Sequence, residues 1–284
     1  GLLGRARSPF ARRMERDGAS PAGLQLFRDL LDAPAQAALV EFAESALARG
    51  RAGLLAGKSY QRPPAEWAAR GQGRETVHFG CLVKCNKLLG APVEPLPPIL
   101  EDLFSALEAA GVFGAAQRPD SVCVNVYEEG AWLPPHVDSD AFARPFCTVS
   151  LLSDHCVGFG TRVPPQEGGE PVYTEACRLE LASGSVPCRV DCPVRSSSPT
   201  EKRRVPRPAQ VLRLDGPSAG PDWLHALPPH PRRRVSLTCR RLGRKAREER
   251  EAAREAAAKA ALERMARRRA AKALRRGRRR QEGE

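Results

Sequence analysis

The residues best suited to chemistry in this sequence are His136 and Asp138, one residue apart. In an extended segment, residues i and i+2 point to the same side, so this imidazole and this carboxylate can converge on one metal ion. A second imidazole must come from a distant part of the chain. Five histidines exist: His78, His136, His155, His225 and His230. His225 is the best candidate, because it lies just before an arginine-rich stretch at 232–241. Two histidines and one carboxylate on one face of a metal leave three positions open, the arrangement used by non-haem Fe(II) oxygenases. A His-x-Asp spacing also arises by chance, with the histidine merely hydrogen-bonded in a surface loop. The surrounding elements therefore carry the argument.

Those elements are of the right kind. A Val-rich alternating run, Ser121–Tyr127, reads as a strand. A turn containing Gly130 follows, and His136-x-Asp138 comes just beyond it. On a strand running from Arg234, the residues Arg234, Ser236, Thr238 and Arg240 share one face, while Val235, Leu237 and Cys239 share the other. A dicarboxylate cosubstrate needs a buried cation of bidentate geometry, and arginine provides this better than lysine.

Further strand-like runs at 147–152, 178–181 and 210–214 are bounded by Gly, Pro or Ser. Upstream, Asp32 reads as the N-cap of a helix whose apolar stripe is Leu39, Val40, Ala43 and Leu47. A second amphipathic helix is expected at about 98–110, carried by Leu100, Leu103, Phe104 and Leu107. Residues 58–97 mix Pro, Gly and charge, as loops with short strands do. Two helices followed by a series of strands predict helices packed on one side of an antiparallel β-sandwich.

Net charge is +13 and the pI about 9.8, so the chain should attract polyanions, nucleic acid above all. About two-thirds of that charge lies in the tail 244–284, which is nearly all Ala, Arg, Lys and Glu. Such a segment has high helix propensity, but it is polar all round and has too narrow an apolar stripe to enter a core. It reads as an extended basic helix that contacts polyanions. The bland alternative is a solvated linker or a nuclear-import signal. No apolar run approaches the roughly 20 residues needed to span a bilayer. The 9 cysteines are too sparse for a disulfide scaffold, which predicts an intracellular chain, in the nucleus or cytoplasm, with reduced thiols. Cys81 with Cys85 and Cys188 with Cys192 lack the partners of a zinc finger.

Asn125-x-Tyr127, His136-x-Asp138, and His225 followed by Arg234 and Arg240 resemble the AlkB group of nucleic-acid demethylases. The stretch 125–153 and the run His-Ala-Leu-Pro with Arg-Val-Ser-Leu-Thr-Cys-Arg-Arg in 225–241 are similar to the plant and algal branch. That branch in turn is similar to RNA N6-methyladenosine demethylases. The resemblance covers about residues 22–243. It implies an Fe(II)- and 2-oxoglutarate-dependent dioxygenase that uses O2 to demethylate N-methylated nucleobases, with single-stranded methylated RNA as partner. It implies that His136, Asp138 and His225 bind Fe(II). Arg234 would pair with the distal carboxylate of 2-oxoglutarate, assisted by Tyr127 and Ser236. Asn125 would hydrogen-bond the cosubstrate near the metal, and Arg240 would orient its chelating end. The segment 71–80 falls at the family's nucleotide-recognition lid, with Arg74 and His78 as its candidate substrate contacts. For Arg74 the alternative is a solvated turn arginine.

The expected fold is α+β: a double-stranded β-helix (jelly-roll) core, N-terminal helices on one side, and a C-terminal extended basic helix. Expected boundaries are a disordered basic N-terminus at 1–20, a helical extension and lid at 21–120, the dioxygenase core at 121–243 and the basic tail at 244–284. One departure from the family is the Pro/Arg/Ser-rich insert at 187–208, between Gly184-Ser-Val and the strand at 211–214. It is expected to be a disordered surface loop. Rival readings are a 2-oxoglutarate oxygenase acting on DNA or protein, and a catalytically silent RNA-binding module on the same scaffold.

Overall fold

The computed structural model describes residues 21–84, 87–163, 170–181 and 209–281, with side chains to Arg269. The expected disorder at 1–20 and 187–208 lies outside the described residues. In chain order the elements are β1 (Gln25–Leu31), α1 (Ala33–Arg51), β2 (Tyr60–Gln61), α2 (Ala65–Ala68), β3 (Glu75–Phe79), β4 (Val83–Lys84), β5 (Lys87–Leu88) and α3 (Pro98–Ala109). They continue as β6 (Ser121–Tyr127), β7 (Leu133–His136), β8 (Phe146–Leu151), β9 (His155–Val163), β10 (Val172–Leu181), β11 (Ala209–Leu214), β12 (Leu224–Leu227), β13 (Arg234–Arg240) and α4 (Arg244–Gln281).

Two antiparallel sheets form the body. One has seven strands in the order β1-β11-β8-β13-β6-β3-β2, the other four in the order β10-β9-β12-β7. The eight strands from β6 to β13 pass between these sheets in the order of a jelly roll. The period-2 alternation of β6 and β13 explains how each sheet presents two different faces. Val122, Val124 and Val126, with Val235, Leu237 and Cys239, join one apolar cluster with Leu39, Ala43 and Leu47 of α1 and Leu100, Leu103, Phe104 and Leu107 of α3. Both helices therefore pack on the outer face of the seven-stranded sheet. Asp32 caps α1, its carboxylate accepting from the Ala35 amide at 2.9 Å, an arrangement that satisfies one of the orphan donors of a helix N-terminus.

The opposite face of the larger sheet meets the smaller one through Tyr127, Phe146, Val157, Phe159, Leu181, Leu212 and Leu227. Arg234, Ser236 and Thr238 are also buried, and they point into this inter-sheet layer, where a polar group must find a partner.

Strands β1, β7 and β9 escaped the sequence reading for physical reasons. The pairing in β1 is interrupted by a register shift between Phe27 and Leu31, and Asp29 takes φ 59°, so the apolar residues lose their alternation. Strand β9 contains Gly158 and Gly160, residues depleted in strands. A Cβ on Gly160 would lie 2.0 Å from the Thr174 carbonyl oxygen of β10, so close approach of the two backbones requires glycine there. Strand β7 contains Pro134 and Pro135 and lies at the edge of its sheet, where missing N–H donors are tolerated.

Residues Gly1–Leu242 and Gly243–Glu284 are two separate compact units. In the second, α4 is one 38-residue helix, with Arg244 and Glu248 3.9 Å apart. Leu262 and Met265 are exposed, as expected of a helix without an apolar face wide enough to bury. Among the described residues no helix is long and apolar enough to cross a membrane.

Candidate functional site

His136 ends β7 and His225 lies in β12, and the two are direct partners in the antiparallel register. Their ring centroids are 4.3 Å apart. Asp138 follows two residues after His136, and one potential ligand atom from each of the three lies within 4.8 Å of the others. Nδ1 of His136 is 2.8 Å from the Pro134 carbonyl oxygen. A carbonyl can only accept, so the proton sits on Nδ1 and the lone pair of Nε2 is free for a metal.

The protonation states follow from position. Burial above all holds His136 below its usual pKa, against the pull of Asp138. Burial, then the neighbouring His136, brings His225 down to about 3. Burial alone would raise Asp138, but Arg240 with its guanidinium 3.7 Å away, His225 and His136 hold its carboxyl well below the ordinary carboxylate range. Two neutral imidazoles and one carboxylate are the forms that metal ligation requires. The donor set fits a divalent ion such as Fe(II).

Arg234 is only 2% exposed. Its Nη1 donates to Ser236 Oγ at 3.2 Å and its Nη2 to Ser150 Oγ at 3.1 Å. Its guanidinium carbon is 5.2 Å from the centroid of the Tyr127 ring. Its Nε–H is buried without a hydrogen-bond partner among the described residues, and the ionisable groups that act on its charge are Tyr127 and Arg74, neither of them a carboxylate. A buried cation left without a counter-charge is costly. This orphaned donor therefore fits an anionic ligand such as the distal carboxylate of 2-oxoglutarate.

Asn125 is 2% exposed and fully engaged. Its Oδ1 accepts from Arg74 Nε at 2.6 Å, and its Nδ2 donates to the Cys123 carbonyl at 3.0 Å and to Thr238 Oγ1 at 3.2 Å. The guanidinium of Arg74 lies 5.7 Å from the Tyr127 ring centroid, so Arg74 is part of the cavity wall and is not a solvated turn residue. His78 sits on β3 with Nε2 3.1 Å from Thr76 Oγ1 and 3.9 Å from Cys123 Sγ. Burial would raise the Cys123 thiol, but His78 brings it down to about 7.

Two cavities meet at His136 and Asp138. The inner one runs between the sheets to Arg234 and is lined by Asn125, Tyr127 and Ser236. The outer one, about 360 Å³, is lined by Arg62, Trp67, Lys84, His78 and Cys123. Arg74, His136, Asp138 and Arg240 line both. The residues expected to bind metal, cosubstrate or substrate thus line one or both of these two cavities. Sequence reasoning missed Ser150 and Trp67, and placed Thr238 on the polar face of its strand without giving it a role. Ser150 is paired with Ser236 across β8 and β13, a relation that no local pattern carries.

No family model matches the chain. Among curated proteins it is similar to the RNA demethylase ALKBH9B of Arabidopsis thaliana, 33% identical over 173 residues, which is 58% of this chain and 33% of that protein. It is also similar to the RNA demethylase ALKBH10B of the same plant, 24% identical over 201 residues, 68% of this chain and 34% of that protein. The chain thus spans about a third of the length of these relatives. Among solved structures, a Pseudomonas putida prolyl-4-hydroxylase aligns at TM-score 0.40 and 15% identity, over 78% of this chain and 93% of that one. A Trichoplax adhaerens prolyl hydroxylase aligns at TM-score 0.43 and 11% identity, over 80% and 86%.

Proposed function

We propose that this chain is an Fe(II)- and 2-oxoglutarate-dependent dioxygenase that removes N-methyl groups from nucleobases, with N6-methyladenosine in RNA as its substrate. The observation that carries this reading is that two cavities share His136 and Asp138 in their walls, with His225 and the buried Arg234 lining the inner one. The relatives' printed activity, RNA demethylase, supports it.

His136, Asp138 and His225 would hold the iron. Bound there, Fe(II) supplies O2 activation coupled to oxidative decarboxylation of 2-oxoglutarate. Arg234, aided by Ser236 and Tyr127, binds the distal carboxylate of the cosubstrate by charge-assisted hydrogen bonds. Arg240 keeps Asp138 ionised and flanks the chelating end. Asn125 is held by Arg74 and Thr238 beside the same space. Arg74 and His78 contact the substrate from the outer cavity, on the segment read as a lid.

A base can reach this centre only after leaving its stack, which costs least in a single strand. In the proposed organisation, residues 21–120 carry the helices and lid, 121–243 the oxygenase core, and 244–284 a basic arm. That arm adds salt-dependent, sequence-blind affinity for nucleic acid. Nucleus and cytoplasm both offer such a substrate.

The test is release of succinate and formaldehyde from N6-methyladenosine RNA with Fe(II), 2-oxoglutarate and ascorbate, comparing the chain with His136→Ala. Formaldehyde from the unmutated chain alone is the expected result. Succinate without formaldehyde would redirect the activity to DNA or protein. Neither product from folded, iron-loaded protein would overturn the enzymatic reading in favour of a silent RNA-binding module.

A further inference from the structure

Arg144 is the residue before Pro145 on the approach to β8. Its guanidinium makes four hydrogen bonds, all to backbone carbonyls. Nη2 donates to the Asp138 carbonyl at 3.0 Å. Nη1 donates to those of Ser139 at 3.1 Å and Phe142 at 2.7 Å. Nε donates to that of Ala219 at 3.1 Å. Below the fork, the Phe146 ring centroid lies 5.0 Å from the guanidinium carbon.

The acceptors come from two places that matter to the site. Three lie on the loop that begins at Asp138. The fourth ends the short 3-10 turn Gly216–Ala219, five residues before β12 opens at Leu224 and delivers His225. One side chain therefore joins the segment of one candidate ligand to the approach to another. The same loop is tied from a second direction: the Ala143 amide donates to the Arg241 carbonyl at 2.8 Å, and Phe142 lies 4.8 Å under the Arg240 guanidinium. Arg240 in turn faces the Asp138 carboxylate.

We propose that Arg144 is a positioning residue for the metal centre, holding the Asp138 loop and the lead-in to His225 in one frame before any metal binds. This rests on the reading of His136, Asp138 and His225 as metal ligands. A planar fork with five donors can reach carbonyls in several directions at once, whereas a lysine ammonium is a point donor and a glutamine amide has two donors and no charge. Partners that orient ligands from outside the coordination sphere typically change metal affinity 10- to 100-fold when lost.

The experiment titrates Co(II), an air-stable stand-in for Fe(II), into the full chain and into Arg144→Lys, Arg144→Gln and His136→Ala. Visible d–d bands report affinity and geometry, and thermal melting without metal reports folding. The expected result is folded Arg144→Gln with a Co(II) Kd raised roughly 10- to 100-fold and altered bands, and Arg144→Lys between it and the unmutated chain. Unmutated Kd and bands in the arginine variants would overturn the proposal. If only Arg144→Gln fails to fold, Arg144→Lys decides by the same criterion. Loss of fold in both would make Arg144 a general stability residue and would also overturn it. Failure of the unmutated chain to bind Co(II) better than His136→Ala would instead remove the metal site itself.

Discussion

Arg74 Nε donates to Asn125 Oδ1 at 2.6 Å, joining the segment read as a nucleotide lid to the wall of the inner cavity. The bond fixes the Asn125 amide, since only its oxygen can accept, and so turns Nδ2 toward Cys123, Ser236 and Thr238. Arg74→Ala should therefore disturb both the substrate side and the cosubstrate side. The expected outcome is a kcat/KM lowered about 10- to 100-fold, or roughly 1.4–2.7 kcal/mol. Steady-state formaldehyde release checks it. A change confined to KM for RNA would mean that Arg74 contacts substrate only.

Arg234→Met should abolish 2-oxoglutarate binding while leaving the ligand-free fold as stable as before, or more so. Among the described residues the buried guanidinium has no carboxylate partner to lose, and replacing such charges by apolar groups of similar volume is often neutral or stabilising by about 1–4 kcal/mol. Isothermal titration with 2-oxoglutarate and urea midpoints on the metal-free protein measure the two halves. A large loss of stability would contradict the idea that the charge is there for a ligand.

Metal removal should lower the melting temperature. Because the ligands are brought together in the folded chain, a divalent ion at 100 times its Kd stabilises the fold by about 2.7 kcal/mol. Calorimetry with and without a chelator reads this, and His225→Ala should remove the difference.

Stability should fall on mild acidification. Burial first, then Arg234 and His230, bring His155 down to about 3 from an ordinary 6.5. Burial and His136 do the same to His225 in the metal-free chain. Between those two pH values the unfolded chain binds protons that the folded chain does not. Stability is thus complete above pH 6.5 and declines as pH drops toward 3, by roughly 1 kcal/mol per pH unit for each histidine. Urea unfolding of metal-free protein at pH 7.5, 6 and 5 checks the slope, and His155→Gln should flatten it, leaving the part due to His225 and His136.

Truncation after Gly243 should weaken RNA binding and reduce its dependence on salt, because the exposed arginines of α4 release counterions when they meet phosphates. Fluorescence anisotropy between about 50 and 200 mM salt gives the slope. An unchanged slope would reduce the tail to a solvated helix.

Much of this site was legible in the residues. The alternation in Ser121–Tyr127 and Arg234–Arg240 sorts apolar from polar side chains by sterics alone, and the two strands appear with those bounds. The i,i+2 spacing of His136 and Asp138 is likewise a property of any extended chain. Local signals failed where the backbone departs from local rules: at Pro134 and Pro135 of β7, at the glycines of β9, and at the shifted register of β1. The tertiary structure alone decided which distant histidine meets His136. It also decided that Ser150 and Ser236 share one guanidinium, that Arg74 reaches Asn125, and that Arg144 spans two loops. It decided the protonation states as well. A neutral His225 and an ionised Asp138 follow from burial and from charges brought near by strand pairing, and a desolvated environment exists only once both sheets have closed around it.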